Sequence, residues 1–222
     1  MKTGLRFLVV LLPWRLRRWC LIRWFGYDIH PSATIGWAWV FPRRLRMGPR
    51  SRIGHGTVAV HLDEIQLEDF AGIGRLNWIT GFPSDTGSVH FSHIEGRVSR
   101  LRMGPHSAIT NRHLIDCTCE VEVGAFATVA GFRSQLLSHS IDLEKNRQNA
   151  SPIRIGERCF VGTGCIVLAG AKLPAYSVLG AGAVLNKAFT ESYMLYAGQP
   201  AKPVKQLDSS HLYFIRETGS VK

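Results

Sequence analysis

His139 opens a polar, charged segment running from Ser138 to Pro152, directly after the apolar pair Leu136 and Leu137. Histidine in such a place is the side-chain type able to take a proton from a hydroxyl and return it near neutral pH. Read alone, it suits equally a loop histidine that only hydrogen-bonds its neighbours. Upstream, the run NRHLIDC holds Asn111, His113 and Asp116, and Asp142 follows His139 by three residues. Asp142 stands either to orient the imidazole or a ligand or, beside Lys145 and Arg147, as a solvated loop acid. Two more histidines, His90 and His93, lie between Gly81 and Leu101, a stretch with no sustained period. The five cysteines, at 20, 117, 119, 159 and 165, make no metal or disulfide framework, because Cys117 and Cys119 lack a second pair. An odd, unpatterned set fits a reducing compartment.

The elements that must position these residues are written in a six-residue period. From Ile155 the chain reads IGERCF, VGTGCI, VLAGAK, LPAYSV, LGAGAV, LNKAFT, with a branched apolar residue first and a small residue fifth at Cys159, Cys165, Ala171, Ser177 and Ala183. Such a period is neither helical nor alternating, and it predicts a parallel β-helix with one short strand and turn per hexad and three hexads per coil. The same pattern, weaker, holds Ile29, Ile35, Phe41, Met47, Ile53, Ala59 and Ile65 in one phase, slips by two to Leu67, Ile73 and Ile79, and returns at Met103, Ile109, Ile115, Val123 and Val129. His113 falls on the small fifth position of the Ile109 hexad, which predicts an irregular corner or a ring displaced outward to a site. Residues 81–101 and 138–152 break the pattern and are expected as loops extruded from the solenoid, where function concentrates.

Composition divides the chain differently. The formal net charge is +11, yet residues 1–52 hold eleven Lys and Arg against the single acid Asp28, so the remainder is near neutral. Five of the six Trp precede residue 40, and Leu5 to Leu12 is an apolar run too short to span a bilayer, which takes about 20 residues. Arginine mixed with tryptophan after an apolar run predicts an in-plane segment on an anionic membrane surface, through residues 1–26. A bare nucleic-acid patch would not need the apolar run. Self-association or docking on a partner is the competing reading. The arginines at 15, 17, 18 and 23 scatter around a helix that starts at Trp14. No small-residue cleavage site follows the run, against a signal peptide. The expected organisation is a membrane-associating segment over 1–27, an all-β β-helix domain over 28–190, and a C-terminal extension over 191–222.

The hexads, the segment opening LSHSIDLEKNRQNASP, the run NRHLIDC and the exit YAGQPAKPVKQL together resemble the left-handed β-helix acyltransferases, most closely the sugar O-acetyltransferases of bacterial polysaccharide clusters, the colanic acid acetyltransferase type. The likeness covers about residues 28 to 207. It implies a left-handed coil, a homotrimer with acyl-CoA sites between subunits, and acetyl transfer from acetyl-CoA to a sugar hydroxyl of a glycan or lipid-linked precursor. In that reading His139 is the general base, a backbone N–H holds the oxyanion, and no covalent intermediate forms. Asn111 or His113 binds the acceptor. The resemblance further places Phe160 along the pantetheine arm, Asn186 and Lys187 after the GAG turn, and Lys202 near the adenosine phosphate. Thr163 and Ala181, one 18-residue coil apart, stack along the same arm. It implies no metal: the carbonic anhydrases built on this repeat need three converging histidines, and no such set is present. The implied location is cytoplasmic, peripheral on the inner face of the bacterial inner membrane. Two alternatives stay open: N-acetylation of an amino sugar, and a non-catalytic scaffold.

Overall fold

Branched apolar side chains recurring once per strand can all be buried only if successive strands stack. Three parallel sheets result, wound in turn by one chain. The structure, a computed structural model, describes residues 3–219 and 221. The first sheet begins at Asp28–Ile29, the second at Thr34–Ile35 and the third at Trp39–Phe41, and each next coil adds one strand to each. Inside, three columns fill the core: Ile29, Met47, Leu67, Met103, Val123, Ile155 and Leu173; Ile35 through Ile73 and Val129 to Leu179; and Val40, Ala59, Ile79, Ile115, Leu136, Val167 and Leu185. The small fifth residues Cys159, Cys165, Ala171, Ser177 and Ala183 are fully buried at the corners, where a larger side chain would overpack.

The phase slips have a structural cause. Asp28 pairs with Arg46, an 18-residue coil, whereas Met47 pairs with Leu67, two residues longer. The longer coils carry four-residue strands such as Glu64–Leu67, in which both Ile65 and Leu67 point inward. Phe41 departs from the expected phase: Val40 takes the column position opposite Ala59, and the Phe41 ring lies 4.9 Å from Trp39 and 5.2 Å from Phe25 instead. On the outer face of the first sheet, Arg44, Glu64, Arg100 and Glu120 alternate in a charged ladder that closes to 2.6 Å between Arg100 and Glu120.

Alternate residues of a parallel strand turn their N–H and C=O to opposite neighbours, so the first coil pairs one set with the second coil (His30 N–H to Met47 O, 2.9 Å) and leaves the other set, carbonyls included, open at the end of the solenoid. Two N-terminal helices cover that end: α1 (Thr3–Leu11) and α2 (Trp14–Phe25), the latter stopped by Gly26 at φ +67°, a left-handed cap that glycine adopts without strain. Arg17 is buried and donates to the carbonyls of Ile35 and Gly36, the latter at 2.7 Å, while Arg18 donates to Ile29 O at 2.6 Å. Burial lowers the Arg17 pKa to about 10, so the guanidinium stays charged at neutral pH. Two of the arginines counted as basic surface are therefore end caps, which is why they scatter around the helix. Arg17→Met is expected to lower stability by about 3 kcal/mol, read from the urea midpoint, because it strands two carbonyls.

The extruded segments are both ordered. Residues 81–99 carry one 3₁₀ turn, Val89–Phe91. Buried Arg97 ties them down by donating to Phe82 O and Thr118 O, both at 2.6 Å, and buried Asp63 accepts from Ser84 Oγ at 2.7 Å and from Ser99 N at 3.0 Å. Residues 138–152, expected as a loop, form an antiparallel hairpin of His139–Asp142 against Arg147–Ala150. Its turn closes where Asp142 Oδ1 accepts the Lys145 N–H at 3.1 Å and Asn146 sits at φ 45°. At the far end, Met194–Gly198 extends the second sheet and folds back on Ala201–Gln206, after which α3 (Leu212–Ile215) packs on the coil through Tyr213 Oη to Cys159 O at 2.9 Å.

Candidate active site

The strands Leu114–Asp116 and Gln135–Leu137 are neighbours in the third sheet, with Asp116 directly opposite Leu137. That register puts the Asp116 carboxylate beneath the first residues of the hairpin. Its Oδ2 lies 2.6 Å from His139 Nδ1 and also accepts the His139 backbone N–H at 3.1 Å and the Ser138 hydroxyl at 3.3 Å. Its Oδ1 accepts the Thr118 N–H at 3.1 Å and the Thr118 hydroxyl at 2.7 Å. Asp116 is buried, whereas the His139 side chain is 47% exposed. With Nδ1–H directed at the carboxylate, the remaining ring nitrogen, Nε2, is left as an acceptor, the arrangement of a positioned general base. Of the readings open for Asp142, orienting the imidazole is the one the hairpin does not support. Three residues along a strand reverse the side, so it faces away and lies 3.8 Å from Arg147 instead.

On an antiparallel hairpin, opposed residues and alternate residues share a face. His139, Ile141, Gln148 and Ala150 therefore point to one side, and that side meets the insert: Ala150 packs with Phe91, Cys119, Phe82 and Ile94. A cleft of about 450 Å³ opens between the two segments, lined by Val89, His90, His93, Ile141, Arg147 and Gln148. Arg97, through Thr118 O, ties the insert to the strand end that carries Asp116. The sequence singled out His90 and His93, and the fold brings them to the hairpin face that bears His139.

His113 does not join this site. It is buried at the corner, its Nδ1 accepts the Ser134 N–H at 3.1 Å and its Nε2 lies 3.0 Å from Thr110 Oγ1, so the acceptor-binding role is withdrawn from it. Burial lowers its pKa from 6.5 to about 4, and a proton on Nδ1 would face the Ser134 donor. Below pH 6.5 the unfolded chain binds a proton that the folded ring refuses, so stability falls as pH drops from about 6.5 to 4, by up to roughly 3 kcal/mol. Urea midpoints across that window should fall more steeply for the wild type than for His113→Asn.

Asn111 is exposed at the other end of the third sheet, its Oδ1 accepting Arg75 N–H at 2.7 Å, and lines a separate groove of about 800 Å³ with Trp14, Arg52, His55 and Arg75. The expected coenzyme contacts divide likewise. Thr163 and Ala181 do stack at the corner between second and third sheets, with Gly182 N–H bonding Thr163 O at 2.9 Å, and Lys202 is exposed on the adjoining Ala201–Gln206 strand. Asn186 and Lys187 lie at the opposite corner, two strand spacings, about 10 Å, beyond the His139 coil. The Phe160 ring is met edge-on by Tyr213 at 5.8 Å, so this chain's own C-terminal segment covers part of it. Within one protomer these contacts do not form a single track. Burial raises every cysteine thiol, Cys159 to about 12, which removes thiolate chemistry at neutral pH. Among the described residues no group of three or more His, Cys, Asp or Glu is placed to hold a metal ion.

Three parallel sheets are wound coil by coil from hexads, and the fold is the left-handed parallel β-helix, shared with a solved O-acetyltransferase. The polysialic acid O-acetyltransferase OatWY matches over 81% of this chain and 84% of its own, with a TM-score of 0.61 and 18% identity. A hexapeptide-repeat acetyltransferase of Vibrio cholerae O1 biovar eltor, complexed with acetyl coenzyme A, matches over 92% and 84% with a TM-score of 0.49 and 16% identity. A protein of Schizosaccharomyces pombe (strain 972 / ATCC 24843), provisionally named an acetyltransferase, is 33% identical over 75 residues, 32% of this chain and 36% of that relative. The chain thus matches about a third of the length of that curated relative. No family model matches the chain.

Proposed function

We propose that this protein transfers an acetyl group from acetyl-CoA to a hydroxyl of a glycan or lipid-linked glycan precursor. The observation that carries the reading is the buried Asp116 holding His139 by Nδ1, on the hairpin face whose Ile141 and Gln148 line a cleft. In this reaction His139 Nε2 takes the proton of the acceptor hydroxyl as its oxygen bonds to the thioester carbon. The tetrahedral intermediate collapses with cleavage of the carbon–sulfur bond, and the same nitrogen returns the proton to the departing thiolate. Asp116 stabilises the imidazolium between the two steps. The acceptor occupies the cleft between insert and hairpin, where His90, His93, Arg147 and Gln148 offer hydrogen bonds to a polyhydroxylated ring. The structural likeness to a polysialic acid O-acetyltransferase supports a sugar acceptor.

The division of Thr163, Ala181 and Lys202 from Asn186, Lys187 and His139 across the width of one sheet supports a site shared between copies, hence a homotrimer. The backbone of the Thr163 corner suits the pantetheine arm, and the exposed lysines suit the coenzyme phosphates. A scaffold has no use for an oriented, half-exposed imidazole. To test the reading, radiolabelled acetyl-CoA is incubated with the protein and a glycan extract. Label that appears in glycan and is released by mild alkali supports an acetyl ester; alkali-stable label assigns an amide and an amino-sugar acceptor. Absence of label in any glycan fraction leaves the scaffold.

A further inference from the structure

Helix α1 is apolar on both sides. Its inner side, through Val9, packs on the core, but its outer side carries Phe7, Leu8 and Leu11, exposed by 60%, 64% and 78%. These fall at the i, i+1, i+4 spacing of one helical stripe. In a helix at a protein surface such a stripe faces the core; here it faces away. Helix α2 continues the surface with Leu16, Trp19 and Trp24, exposed by 49%, 54% and 46%. Once Arg17 and Arg18 are recognised as caps on the first coil, the arginines left on the outer side of α2 are Arg15 and Arg23. At 100° per residue, Arg15, Trp19, Ile22 and Arg23 share one face. On α2 an exposed tryptophan, an isoleucine and two cations therefore coincide, with Leu16 at the edge of that face and Trp24 on the opposite side.

We infer that the outer faces of α1 and α2 dock on a bilayer containing anionic lipid, with the leucines and rings in the interface and the arginines among the headgroups. The charge supports a bilayer over a second copy. An isologous contact would bring two sets of these arginines together, and residues 1–52 supply only Asp28 to offset them. No helix among the described residues is long and apolar enough to cross a membrane, so the mode is in-plane.

The test is flotation of the full chain with vesicles of phosphatidylcholine alone and of phosphatidylcholine mixed with phosphatidylglycerol. The wild type is expected to float with the mixed vesicles and far less with the neutral ones. The double variant Leu8→Ser with Leu11→Ser, at exposed sites, should partition at least about tenfold more weakly. Arg15→Gln with Arg23→Gln should lose about tenfold or more and show a shallower salt dependence. Failure of the wild type to float, equal flotation with neutral vesicles, or flotation of both variants at the wild-type level would each overturn the inference. So would a drop in the oligomeric mass of the leucine variant in the absence of vesicle binding, which would assign the face to a second copy.

Discussion

Replacing His139 by alanine is expected to lower kcat for acetyl transfer by roughly 10²–10⁴-fold while leaving the affinity for acetyl-CoA little changed. The size follows from the role: without the imidazole, the acceptor hydroxyl must lose its proton to water while it attacks, and the leaving thiolate has no donor. The small change in coenzyme affinity follows from the groups assigned to hold the coenzyme, the backbone of the Thr163 and Ala181 corner and the exposed lysines, which the substitution leaves in place. Nearly half of the His139 side chain is exposed, so its removal should leave the unfolding midpoint close to wild type. Thiol release from acetyl-CoA in the presence of acceptor, beside calorimetric titration of coenzyme, separates the two effects. A loss of binding equal to the loss of rate would mean that the ring holds substrate and does not move a proton.

Asp116→Asn is expected to have the second largest effect, lowering kcat by roughly 10²-fold or more with a folded protein retained. The amide presents both a donor and an acceptor where the carboxylate accepts five hydrogen bonds. If its NH₂ turns to His139, it opposes that residue's backbone N–H, and Nδ1 becomes the acceptor while the proton moves to Nε2, which then no longer serves as base. If it turns to Thr118, two donors oppose each other in a buried place, at a cost of about 1–3 kcal/mol. Rate and thermal midpoint measured on the same preparation distinguish the outcomes: a large fall in kcat with a modest fall in midpoint supports positioning, and an unchanged kcat removes Asp116 from the mechanism.

Much of the fold is legible in the sequence, for a physical reason. A β-helix must bury one branched residue per strand and keep each corner small, so the columns through Ile155 or Val161 and the buried Cys159 and Cys165 are written into the hexads. Phe41 misled because a one-residue shift of an aromatic ring beneath a helix leaves no periodic trace. His139 could be read because it opens a segment that breaks the period. Asp116 was visible as a residue but not as its partner. Their meeting depends on a 21-residue coil, Ile115 opposite Leu136, which repeat counting at 18 does not predict. The hairpin was hidden by its polarity, since neither strand carries an alternating apolar face. Arg17 and Arg18 illustrate the converse: composition placed them with the surface cations, although the unpaired carbonyls of the first coil require them inside.

The central claim, a base held by a buried carboxylate, is tested most directly by single-turnover transfer. Enzyme loaded with radiolabelled acetyl-CoA is mixed with the glycan extract, and label in glycan is followed over time for wild type and His139→Ala at matched coenzyme occupancy. The account predicts that wild type moves its label to glycan while the variant keeps it as bound acetyl-CoA. Transfer by the variant at the wild-type rate would contradict it.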